Sequence, residues 1–65
     1  MSTKLIRIKD VMNRTGLAKS TIYKYMKLGQ FPQQILLGVR SVAWVESEVE
    51  TWINDNIKRR DEGTA

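Results

Sequence analysis

IKDVMNRTGLAKSTIYKYMKLG, residues 8–29, is the stretch whose spacing decides the fold. Ile8, Val11, Met12 and Thr15 fall at i, i+3, i+4 and i+7, one face of a helix. Asn13 and Arg14 lie off that face. Gly16 follows, where a helix closing on a left-handed residue places glycine, so a first helix is predicted over residues 8–15. After Leu17 a second stripe begins. Ile22, Tyr25, Met26 and Gly29 again keep helical spacing, Gly29 ends the run and Pro32 blocks its resumption. The second helix is therefore predicted over residues 19–28. Two short helices around Gly16 make a helix-turn-helix.

Outward from this pair, the chain reads toward both ends. Gln34–Leu37 and Val42–Val45 are short β-prone runs around Gly38, Val39, Arg40 and Ser41, which reads as a hairpin placed like a wing. Ile35, Leu36 and Leu37 do not alternate, so the run leaves open which face is buried. Val45, Val49, Trp52, Ile53 and Ile57 form a third helical stripe. Ser47 and Glu50 have capping-box spacing, acids crowd the start of this segment, and Lys58, Arg59 and Arg60 sit at its end. A third helix is predicted over residues 46–58, with Trp52, Ile53 and Ile57 closing the core over the first two. Residues 1–4 read as a loose lead-in and residues 61–65 as a frayed tail. The expected fold is mainly α with a small β-hairpin, a winged helix-turn-helix in the order helix, helix, hairpin, helix. It is a single domain with an ordered core over about residues 5–58.

At 65 residues, and without cysteine or histidine, the chain lacks disulfides, the usual zinc ligands and the commonest catalytic bases. A domain of this length has little room for a deep pocket. The expectation is a binding module, not an enzyme, with no cofactor and no metal. No leader and no membrane-length apolar run is read, so the cytoplasm is the expected compartment. Charge is divided along the chain. Residues 1–45 hold eight Lys/Arg and one acid, a net +7, and residues 46–65 hold three and six, a net −3. A basic portion of this kind suits a polyanion, and the acidic portion should face away from it.

The second helix gathers that chemistry. Opposite its apolar stripe lie Ser20, Tyr23, Lys24 and Lys27, again at i, i+3, i+4 and i+7, with Lys19 and Thr21 at its N-terminal end. Lysines and hydroxyls donate to phosphates, and a tyrosine donates likewise or packs on sugars and thymine methyls. At the wing tip, Arg40 and Ser41 can meet a phosphate or a minor groove. These eight residues are the candidate DNA contacts. A solvated lysine face and a solubilising turn arginine are the plainer alternatives. Trp44 and Trp52 fall on apolar stripes and read as core or core edge, not as stacking platforms for single strands.

Thr15-Gly16-Leu17, Ser20-Thr21-Ile22-Tyr23, Gly29-Gln30-Phe31-Pro32, Leu37-Gly38, Arg40 and Trp44-Val45-Glu46-Ser47-Glu48-Val49 together resemble the AlpA family of prophage regulators, relatives of the winged-helix excisionases and MerR-like domains. The resemblance spans Ile8 to Ile57. It implies a winged helix-turn-helix on DNA at promoters or attachment sites of a mobile element. Ser20, Thr21, Tyr23 and Lys24 would then fall on the recognition helix and Arg40 on the wing. Family members often carry serine and then arginine before the Ser-Thr pair, and here Ala18 and Lys19 stand there. Alanine caps poorly, so the start of the second helix is expected to fray or to lean on tertiary contacts. Lysine lacks the bidentate fork, so base preference does not transfer. The implied function is sequence-specific transcription regulation. An excisionase that bends attachment-site DNA is the alternative, and a protein adaptor that does not bind DNA is the second. Double-stranded DNA is the expected partner, with an integrase or a second copy on DNA as further ones, and the free protein is expected to be monomeric.

Overall fold

The structure, a computed structural model, describes residues 3–63. Met1 and Ser2 of the expected lead-in, and Thr64 and Ala65 of the expected tail, lie outside the described residues. Helix α1, Ile8–Thr15, ends as its spacing predicts. Gly16 takes φ 74° and ψ 8°, and its N–H donates to the Met12 carbonyl at 2.8 Å. Thr15 completes the turn from both sides. Its Oγ1 donates to the Val11 carbonyl at 2.7 Å and accepts the Leu17 N–H at 3.2 Å. The chain thus turns sharply without leaving the Leu17 amide unsatisfied.

Helix α2, Lys19–Lys27, starts from Ala18, which is extended and makes no side-chain cap, as an alanine must. It closes one residue before the expected end. Leu28 is its C-cap, and Gly29 at φ 72° lets the Gln30 N–H reach the Tyr25 carbonyl at 2.8 Å.

Three strands form one antiparallel sheet in the order β1-β3-β2. Strands β2, Ile35–Leu36, and β3, Val42–Val45, are the expected hairpin, with Ile35 opposite Ala43 and Leu36 opposite Val42. The Leu37 N–H donates to the Ser41 carbonyl at 2.7 Å and closes the turn. Ile35, Leu36 and Leu37 are all exposed. Strand β1, Leu5–Ile6, was not expected. It pairs Leu5 with Val45 and Ile6 with Trp44, so the residue before it, Lys4, is not a loose lead-in. The Lys4 carbonyl accepts the Glu46 N–H at 2.9 Å and so takes one of the orphan amides that open the next helix.

That helix, α3, runs Glu46–Gly63, five residues past the expected end, and residues 61–63 are helical and not frayed. It follows β3 directly, so Ser47 lies inside the first turn and is not its cap. The Glu50 carboxylate of the expected capping box instead accepts Arg14 Nη1 at 2.6 Å.

The core joins Ile6, Val11, Ile22, Met26, Phe31, Trp44 and Val49. Trp44 is its largest side chain and is fully buried. Trp52 and Ile53 pack against its edge, whereas Ile57, expected to help close the core, is 44% exposed. No described helix is long and apolar enough to cross a membrane.

Candidate nucleic-acid interface

The two faces of α2 separate as helical periodicity requires. Ile22 and Met26 are buried, while Lys19, Ser20, Tyr23, Lys24 and Lys27 are exposed. Thr21 is half-buried at the flank. The structure thus brings five of the six helix candidates onto one open surface. Tyr23 does more than face solvent: its ring meets the Trp44 indole edge-on, with centroids 6.2 Å apart. That contact fixes α2 against β3, the strand that leads to the wing.

At the wing, Arg40 is exposed and Ser41 is half-buried. Ser41 is engaged at its base, where its Oγ accepts Arg7 Nη1 at 3.0 Å, and the same guanidinium nitrogen donates to the Val42 carbonyl at 3.3 Å. Arg7, between β1 and α1, was missed from the sequence. The nearest signal was a cation with no acid close to it except Asp10.

Two cations near the start of α3 are already committed. Arg14 Nη2 lies 2.8 Å from Glu46 and Nη1 2.6 Å from Glu50, and Lys4 Nζ lies 3.7 Å from Glu46. The hydrogen bond to Glu50 raises the Arg14 pKa above its ordinary value, helped by Glu46 and opposed by desolvation. Among the described residues, Lys19, Lys24, Lys27 and Arg40 form no ion pair. Glu46 and Glu50 therefore consume positive charge at the α1–α3 junction. The charge on α2 and the wing remains free for a partner outside the fold.

A helix-turn-helix with a hairpin after its second helix defines a winged helix-turn-helix. The family described as "Prophage CP4-57 regulatory protein (AlpA)" matches residues 4–57, and the chain belongs to this AlpA family of prophage regulators. It is 42% identical over 60 residues to "Uncharacterized protein ORF88" of Enterobacteria phage P4, across 92% of this chain and 68% of that one. It is 32% identical over 63 residues to "DNA-binding transcriptional activator AlpA" of Escherichia coli (strain K12), across 88% of this chain and 90% of that one.

Proposed function

We propose that this chain is a sequence-specific DNA-binding regulator of transcription for a prophage or integrative element, and not an enzyme. Helix α2 enters the major groove with Ser20, Tyr23 and Lys24 toward base edges and backbone, Lys19 and Lys27 on flanking phosphates, and Thr21 at the groove edge. Arg40 reaches the neighbouring backbone from the wing, and Ser41 holds the wing to Arg7. The free protein is a monomer that acts in the cytoplasm, where its DNA is. One observation carries this reading. The exposed face of α2 and the wing tip hold four cations without ion pairs among the described residues, while Glu46 and Glu50 of early α3 pair with Arg14 of α1 and Glu46 also with Lys4. The activator named among its relatives supports it.

The experiment is selection of duplexes from a random-sequence library, then binding to the enriched duplex over a range of salt. A recurring site, with log affinity falling steeply against log salt, is expected because neutralised phosphates release counterions. Failure to enrich any site, or binding indifferent to salt, would sink the reading in favour of a protein adaptor.

A further inference from the structure

A groove runs between α3 and residues 29–32, the segment that leaves α2, and encloses about 710 Å³. Tyr25, Phe31, Pro32 and Trp52 give it an aromatic and apolar lining. Its walls are fastened to each other. The Gln30 N–H donates to the Tyr25 carbonyl at 2.8 Å, Trp52 Nε1–H donates to the Gln30 carbonyl at 2.7 Å, and Phe31 meets Trp52 edge-on at 4.8 Å. A groove held open in this way costs a ligand little ordering of the protein. A duplex on α2 leaves it uncovered. At about 100° per residue, Tyr25 lies about 160° around the helix from Tyr23.

Charge identifies the occupant. Glu48 and Asp55 line the groove and are exposed, and neither forms an ion pair among the described residues, whereas Glu46 and Glu50 are paired. The two free acids stand two turns apart on α3, about 10 Å along its axis, with Trp52 between them on the same face. Unpaired acids repel a duplex and attract cations. The complementary ligand therefore carries two cations about 10 Å apart with an apolar side chain between them. In an extended chain, at about 3.3 Å per residue, that is a spacing of about three residues. The basic faces of a second copy, α2 and the wing, are those that the DNA-binding reading places on the duplex. The occupant is then a different protein.

We propose that this groove docks a partner protein through an extended segment in which two Lys or Arg residues flank an apolar side chain. The cations pair with Glu48 and Asp55, and the apolar side chain packs on Trp52. The groove stays open while α2 holds DNA, so the chain joins a duplex to a second protein. Only this use on DNA rests on the DNA-binding reading above.

The test selects displayed random dodecapeptides on the parent protein and, in parallel, on the double variant Glu48→Gln with Asp55→Asn. Peptides enriched on the parent should carry Lys or Arg on both sides of an aliphatic or aromatic residue. Once synthesised, they should shift the Trp52 indole N–H signal in a proton–nitrogen correlation spectrum and spare that of the buried Trp44. The double variant should melt like the parent, since both acids are exposed. It should bind these peptides about tenfold more weakly, the loss that two exposed ion pairs account for. Arg59→Gln, which removes a cation from the same groove, should bind them as well as the parent or better. Added duplex, with peptide in excess over its phosphates, should leave the Trp52 shift in place. Enrichment of no peptide, or of peptides without cations, overturns the proposal. So does equal binding by the double variant, weaker binding by Arg59→Gln, or loss of the Trp52 shift on adding duplex. Self-association of the parent that the double variant abolishes assigns the groove to a second copy and overturns it too. If peptides are enriched but no duplex is, the DNA-binding reading fails and the groove stands. If a duplex is enriched but no peptide is, only the groove proposal falls.

Discussion

Tyr23 presents its ring to solvent on the basic face of α2 while packing it edge-on against the buried Trp44, at an interplanar angle of 69°. One side chain thus belongs to both the core margin and the candidate interface. Tyr23→Phe keeps the ring pair and removes only the hydroxyl. It should melt like the parent, and any loss of DNA affinity then belongs to the hydroxyl. Tyr23→Ala should lose about 1–2 kcal/mol of stability, from the aromatic pair and the uncovered indole, as well as affinity. Equal melting of parent and alanine variant would show that the ring pair holds nothing.

Gly16 carries the tight turn. A Cβ added there meets nothing within 4 Å, so the cost of substitution is backbone conformation alone. Gly16→Ala should destabilise the domain by about 1–2 kcal/mol, and Gly16→Asn by less, since asparagine visits the left-handed region more readily. Denaturant melts of the two variants check the order. The reverse order would mean that the turn relaxes to another conformation.

Much of this was legible in the sequence because α1 and α2 repeat their apolar spacing over two turns each and are closed by glycine. The elements that escaped depend on partners far along the chain. Strand β1 has two residues, too few to alternate, and exists because β3, some forty positions on, offers it an edge. The end of α3 was placed early because its apolar stripe stops at Ile57 while its backbone does not. Glu50 was assigned to its own helix start, but Arg14, on another helix, holds its carboxylate. In the site, the exposed face of α2 follows from the helical wheel. Arg7 does not, since its partner Ser41 lies 34 positions away.

The two tryptophans should respond differently. Both were expected in the core or at its edge. Trp44 is fully enclosed, whereas Trp52 keeps part of its surface in solvent, stacks edge-on with Phe31 at 4.8 Å and donates Nε1–H to the Gln30 carbonyl at 2.7 Å. A Trp52 that closed the core, as its apolar stripe predicts, would leave the domain unfolded when cut to alanine. The structure shifts that outcome to Trp44→Ala, which should give no cooperative melt. Trp52→Ala should cost about 3 kcal/mol, the low end for an aromatic truncation, and Trp52→Phe about 1 kcal/mol for the lost hydrogen bond. A Trp52→Ala protein without a cooperative melt would place Trp52 as deep in the core as Trp44.

The decisive comparison sets three charges side by side. Lys24 is exposed in the middle of α2 and forms no ion pair among the described residues. Lys24→Ala should leave the fold intact, since alanine is the better helix former and Lys24 lies off the apolar stripe. It should weaken DNA binding, and the slope of log affinity against log salt should shrink by about one if this lysine neutralises one phosphate. Arg14 is also a cation, but Glu46 and Glu50 hold it at the junction of α1 and α3. Arg14→Gln should therefore lower the melting temperature slightly, by an amount that added salt diminishes, and leave the DNA salt slope unchanged. Glu48→Ala removes an exposed acid from α3 and should leave binding unchanged or slightly tighter. Melts of all three are needed to separate folding from binding. If Lys24→Ala binds like the parent while Arg14→Gln flattens the salt slope, the duplex lies against α1 and not α2. If Glu48→Ala alone abolishes binding, the acidic helix is the working surface and the adaptor reading displaces the DNA-binding one.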